Sequence, residues 1–258
     1  MGSTATYIYC IVHAARMPKT IRVPPGLPGS TAPSVLSVSR SLWLVVADVP
    51  LDRYGSGPLE ASLRDMDWVA AIAVAHESVV EHCARLPRAT VVPMKLFTMF
   101  SSSDRAIEDV RGRRADIQAI VKRIAGCEEW GVRMTRTAER SRTRRPVETK
   151  QASGIAFLAA KKEARDVARE AVLAVTATAD HTFSSLAAIA RDARRRDDVP
   201  EGVPPPLLDA AFLVPATRRS RFRAAVRRLA RDTVKVGADV TLSGPWPAYN
   251  FVQSGSGA

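Results

Sequence analysis

The sequence predicts an α+β protein of two domains, the C-terminal one a modified ferredoxin-like fold with a long helix. Three features predict it. Short β-branched and aromatic runs alternate with stretches of helical period in both halves of the chain. The periodic signal lapses between Gly126 and Lys150, where arginine and turn residues crowd together. Beyond that gap the chain reads strand, helix, strand, helix, strand, with a lengthened first helix. The expected division is 1–126 for the N-terminal domain and 127–252 for the C-terminal one. The latter includes an Arg-rich loop at 136–150, and 253–258 form a disordered Gly/Ser tail.

The elements follow in order. Thr6 to His13 (TYIYCIVH) is β-branched and aromatic and reads as a strand. A Pro/Gly-rich loop runs from Pro18 to Pro33. Val35 to Ser39 and Leu42 to Val49 are strands close enough to pair as a hairpin. From Asp67 to Leu86, Trp68, Ala71, Ile72, Ala75, Val79, His82, Cys83 and Leu86 recur at three and four, the stripe of an amphipathic helix. Thr90 to Val92 is a short strand stopped by Pro93. Ser103 to Ala125 is a second helix, with Ser103 as N-cap and Gly126 closing it.

Trp130 to Thr137 is the next strand. A helical stretch then spans about Gln151 to Arg196 on a narrow seam that includes Phe157, Val167, Val175 and Phe183, with a break expected near His181. Leu208 to Val214 is a strand, Arg218 to Val234 a helix with Phe222 facing inward, and Ala238 to Ser243 a strand. Prolines at 245 and 247 are expected to stop pairing beyond Ser243.

Composition narrows the function classes. Hydrophobic residues make up 46% of the 258, ordinary for a globular protein. No run approaches the roughly 18 apolar residues of a membrane span, and Met1 to Tyr9 lacks the pattern of a secretory signal, so a cytoplasmic protein is expected. Cys10, Cys83 and Cys127 are widely spaced and read as reduced, packed thiols. The formal charge of +12 favours anionic partners. Yet the clusters Arg136 to Arg145 and Arg218 to Arg231 hold only Phe222 as an aromatic, so specific nucleic-acid recognition is not expected. A basic nucleic-acid-associated protein is the alternative reading.

Catalytic motifs are missing. His76 and His82 (HESVVEH) are six apart, whereas a zinc helix needs four, so they point to different faces; His82 is expected in the core. No phosphate loop, dinucleotide fingerprint or nucleophile elbow occurs. Glu128–Glu129 and Asp197–Asp198 read as solvated pairs. No enzyme activity, metal or cofactor is expected.

The end of the chain is different. Gly244, Pro245, Trp246, Pro247, Tyr249 and Phe251 make a stiff aromatic segment, SGPWPAYNFV, that either packs over the domain or presents a recognition surface. It resembles the GPWPPYSF-like signature of gas vesicle accessory proteins of the F and L type, the GvpF/GvpL family. Other segments are similar in the same order. Thr90 to Phe100, with Met94 and Phe97, resembles an LPMRFGTVF-like segment; Glu129 to Val132, an EWGV-like strand. Tyr7 to Val12, Gly154 to Leu158 and Ala211 to Val214 resemble the opening strand, the start of the long helix and the strand before the last helix. Phe97 stands where glycine is usual, Phe157 where tyrosine is usual, and Ala248 replaces the second proline. The resemblance implies a non-catalytic, gas vesicle-associated protein of the cytoplasm. Its partners would be the small hydrophobic shell protein and other accessory proteins. The role would be chaperone, nucleation factor or minor shell component.

Overall fold

A computed structural model of the chain describes residues 3–16, 23–137, 154–196 and 204–252. It is an α+β structure that divides into two compact units, Met1–Glu128 with Trp246–Ala258, and Glu129–Pro245. The expected division at 126 and 252 is corrected at its C-terminal end: the chain returns, and Trp246 onward belongs to the first unit. The Arg-rich stretch from 138 to 150 and the 253–258 tail lie outside the described residues.

The first unit is built on strands β1 (Thr4–His13), β2 (Ser34–Ser39), β3 (Leu42–Pro50), β4 (Thr90–Pro93) and β5 (Met99–Phe100). Their order is β2-β3-β1-β4, with β5 also paired to β1, and these pairings are antiparallel. β1 runs against β3 from Thr4↔Pro50 to His13↔Leu42, with a register shift between Ile8 and Cys10. Tyr7 to Val12 are buried without alternation, as a strand covered on both faces requires. β4, paired among the described residues to β1, is an edge strand.

Two short helices missed by periodicity, α1 (Leu51–Tyr54) and α2 (Ser56–Ser62), follow β3. α3 (Met66–Ala84) starts at Asp65, whose carboxylate accepts from the N–H groups of Asp67 and Trp68. It buries Ile72, His76, Val79, Val80 and Cys83 against Tyr7, Tyr9, Cys10 and Val12. His76 is therefore the core histidine, 2% exposed, and His82 is only half-buried, which corrects the expectation. Ile72, His76, Val79 and Cys83 recur at four, three and four, so the buried stripe runs through position 76. Cys10 and Cys83 are buried free thiols, and Cys127 is half-buried.

The second predicted helix is two: α4 (Ser103–Gly112) and α5 (Arg114–Ile124), separated at Arg113 just after Gly112. The N-cap is Ser102 rather than Ser103; its hydroxyl accepts from the Arg105 N–H at 3.3 Å. Gly126 ends the helix at φ +66, a conformation that glycine adopts without a Cβ clash.

The second unit has the order β6 (Cys127–Arg136), α6 (Gly154–Ala187), β7 (Asp192–Arg195), β8 (Leu208–Pro215), α7 (Arg219–Val234) and β9 (Ala238–Trp246). The β-α-β-β-α-β sequence and the strand order β7-β8-β6-β9 are compatible with the ferredoxin-like expectation. Its core joins Trp130, Val132 and Met134 of β6 to Phe212 of β8, Leu186 of α6 and Phe222 of α7. The expected helix to Arg196 with a break near His181 is corrected: α6 passes His181 unbroken and stops at Ala187. Asp192–Arg195 then pairs antiparallel with β8, from Asp192↔Leu213 to Arg195↔Ala210. Pairing overrides local pattern here: the Arg195 guanidinium lies 4.6 Å over the Phe183 ring, so a charged strand still packs.

β9 continues to Trp246, past the expected stop at Ser243. It is an edge strand, where a proline need not break a ladder on its open side. Glu129, expected to be solvated, is buried at 4% in β6, which lies between β8 and β9. From Phe157 to Ala174 every side chain of α6 is exposed, and the helix joins the core only at Val175.

Candidate functional site

Two segments at opposite ends of the sequence meet in the first unit. The turn after β4 brings Met94, Lys95 and Thr98, and the C-terminal return brings Tyr249, Asn250 and Val252, to one groove of about 330 Å³. Ile11, Val92 and Pro93 supply the sheet side of this groove, and Ile117 and Ile120 of α5 its helical side. The Met94 N–H donates to the Tyr9 carbonyl at 3.0 Å, which continues the β4 pairing one residue beyond Pro93. The lining is chiefly apolar, with two cations. Arg113 is engaged by Asp109 one turn before it on the helix path, its Nε donating to Oδ2 at 2.9 Å. Lys95 is exposed and makes no ion pair among the described residues.

The turn also explains Phe97. Thr98 closes it, its N–H and hydroxyl donating to the Lys95 carbonyl at 3.3 and 2.8 Å. Within it Phe97 adopts φ +62, the left-handed region where a side chain is disfavoured. Its ring leaves the groove and stacks on Trp68 with centroids 5.9 Å apart.

The C-terminal signature is divided among different surroundings. Gly244 takes φ +110. Pro245 is exposed and Trp246 is 42% exposed, while Pro247 is buried. Phe251 is completely buried, and its carbonyl accepts from the Arg123 guanidinium. Tyr249 packs on the first unit's core and also lines the groove. Of the eight residues singled out in the sequence, Met94 and Tyr249 line the groove; the other six do not.

Beneath Tyr249 lies an aromatic cluster that sequence reading missed. The Tyr7 hydroxyl and His76 Nδ1 share a hydrogen bond of 2.7 Å. The Tyr9 ring stacks on His76 at 5.6 Å, and Tyr249 lies 6.4 Å from it. Burial lowers the His76 pKa from 6.5 to about 4, opposed by the Met94 backbone, so the ring is neutral at ordinary pH. Burial likewise pushes the Tyr7 and Tyr249 hydroxyls up. It also raises the Glu77 carboxyl, which Tyr249 counters by an interaction outside strict hydrogen-bond geometry. The His76 imidazole is therefore neutral, and the Tyr7 and Tyr249 hydroxyls stay protonated, near neutrality. Among the described residues, no group of His, Cys, Asp and Glu is placed to hold a metal ion, and no helix is long and apolar enough to cross a membrane.

Of the two arginine clusters, the described residues include Arg136 and the arginines of α7. Positions 138 to 145 lie outside the described residues. On α7 the arginines are solvated while Phe222 is buried. Arg218 donates to the Ile189 carbonyl at 3.2 Å, and Arg223 sits 6.0 Å over Trp130.

Comparison with known proteins covers nearly the whole chain. The model of the family described as gas vesicle synthesis protein GvpL/GvpF matches residues 5–253. Gas vesicle protein L of Streptomyces sp. (strain CB03234) is 30% identical over 223 residues, 81% of this chain and 79% of that protein. The crystal structure of gas vesicle protein GvpF from Anabaena sp. PCC7120 is similar with a TM-score of 0.70 at 16% identity, covering 98% of both chains. That of GvpF from Microcystis aeruginosa gives 0.61 at 12% identity, covering 97% of this chain and 99% of the other. At such identities these structures speak for the fold alone.

Proposed function

Because the chain belongs to the GvpL/GvpF family of gas vesicle synthesis proteins, we propose that it serves gas vesicle assembly by holding the small hydrophobic shell protein. The role is non-catalytic, as chaperone, nucleation factor or minor shell component, and other accessory proteins are its further partners. The observation that carries this reading is the groove: Met94 and Tyr249, from two segments that resemble the family's signatures, line one apolar depression. A subunit that packs into a wall carries more apolar surface than a free monomer safely exposes. A groove of this kind shields a short apolar segment, and the neighbouring edge strand β4 offers strand addition. Association with the vesicle follows from that partner.

The test is co-purification of the shell protein with the full chain and with Ile120→Asp. Ile120 is a half-buried lining residue. The variant places a carboxylate in the groove, so a pull-down weakened at least tenfold and loss of vesicles are expected at an unchanged melting temperature. An undiminished pull-down with normal vesicles would sink the reading.

A further inference from the structure

The second unit carries a polar hollow that has no part in the groove. Side chains alternate along a strand, so residues next to the core positions face away from it. Trp130, Val132, Leu208, Ala210, Val240 and Leu242 pack toward α6 and α7. Their neighbours Gly131, Arg133, Asp209, Thr241 and Ser243, with Arg196 beyond β7, surround a space of about 440 Å³.

Asp209 is 14% exposed and sits between two guanidinium groups. Its Oδ1 accepts from Arg196 Nε at 2.8 Å and from Nη2, and its Oδ2 lies 3.5 Å from Arg133 Nε. The Arg196 backbone N–H also donates to the Asp209 carbonyl at 2.8 Å. One carboxylate thus aligns two cations and neutralises one of them. The outer donors of both arginines, and the hydroxyls of Thr241 and Ser243, have no protein partner among the described residues. Glycine keeps the floor open: a Cβ on Gly131 would meet Ser243 Oγ at 2.5 Å and Arg196 Nη2 at 3.4 Å.

We propose that this hollow binds a phosphoryl group, either free phosphate or one carried by a nucleotide, on Arg133, Arg196, Thr241 and Ser243. The outer guanidinium N–H groups match the terminal oxygens of a phosphoryl group, and the hydroxyls supply further donors. The lining holds no aromatic ring and no aliphatic side chain larger than a methyl group, so its donors are suited to phosphoryl oxygens and not to an acyl chain. Asp209 orients the guanidiniums, and the bound anion meets the one positive charge that the carboxylate leaves over.

The full chain is titrated calorimetrically at low ionic strength with inorganic phosphate and separately with AMP. Saturable phosphate binding is expected, weakened at least tenfold by Arg133→Gln or Arg196→Gln and unchanged by Arg228→Gln, a solvated arginine of α7. Tighter binding of AMP assigns the ligand to nucleotides, and equal binding assigns it to free phosphate; both support the site. Absence of saturable binding of either probe overturns it. So does an equal loss in Arg228→Gln, which would mean that binding merely follows net charge. If the arginine substitutions lower the melting temperature, Ser243→Ala and Gly131→Ala decide the matter. The first removes a donor and the second crowds the floor, and unchanged affinity in both overturns the proposal.

Discussion

The rings of Phe97 and Trp68 are parallel to within 1°, with centroids 5.9 Å apart, although Phe97 holds its backbone at φ +62. Here an aromatic contact offsets an unfavourable backbone conformation at a position where the resemblance expects glycine.

Two substitutions separate those terms. Phe97→Ala loses the ring and keeps the backbone penalty, whereas Phe97→Gly loses the ring and relieves it. The glycine variant should therefore be the more stable of the two by about 1 kcal/mol. Urea unfolding of both measures it, and an alanine variant as stable as the glycine one would mean that the left-handed turn does not persist in solution.

Trp246 and Phe251 should behave oppositely. Phe251 is fully buried, so Phe251→Ala should cost about 3–5 kcal/mol. Trp246 is 42% exposed, so Trp246→Ala should cost no more than about half of that, with its main effect on partner binding. Thermal melts and a shell-protein pull-down on both variants check this. A Trp246→Ala melt as depressed as that of Phe251→Ala would assign the tryptophan to folding instead.

His76 makes stability depend on pH in a defined direction. Its folded pKa of about 4 lies below the ordinary 6.5, so the unfolded chain binds a proton that the folded one refuses. The contribution is complete above pH 6.5 and is lost as pH falls toward 4, by up to about 3 kcal/mol. Denaturant unfolding between pH 7 and 5 should show the fall, and His76→Phe should flatten it. Parallel curves for the two proteins would rule His76 out as its source.

The two ends of α6 should differ in the same way. Leu158 and Val167 are exposed, so alanine at either should change stability by less than about 0.5 kcal/mol. Leu186 is completely buried, and Leu186→Ala should cost about 2–5 kcal/mol. Hydrogen exchange should be faster across 157–174 than across 175–187. Uniform protection along the helix would show that its first half is packed in solution.

Local chemistry was enough to reveal much of this molecule. β-Branched and aromatic runs and period-3.6 patterns placed β1, the β2–β3 hairpin, α3, β6, β8 and α7, because each buries one continuous face or run that its own residues advertise. Gly126 was legible as a helix stop because left-handed backbone is a property of the residue. The family resemblance also rested on sequence alone.

What only the tertiary structure decided are relations between distant residues. β7 has no strand pattern of its own and exists because β8 offers it hydrogen bonds. The first half of α6 carries the same seam as the second but meets no partner among the described residues, so identical periodicity yields exposed residues in one half and core in the other. His76 became the core histidine through the rotation of α3 against Tyr7 and Tyr9, which a one-dimensional stripe left ambiguous. Met94 and Tyr249 share a groove only because the chain returns to its first unit after β9. Spacing along a chain records which face a residue shares with its near neighbours; which remote surface that face meets is set by closing long loops, and no local pattern encodes it.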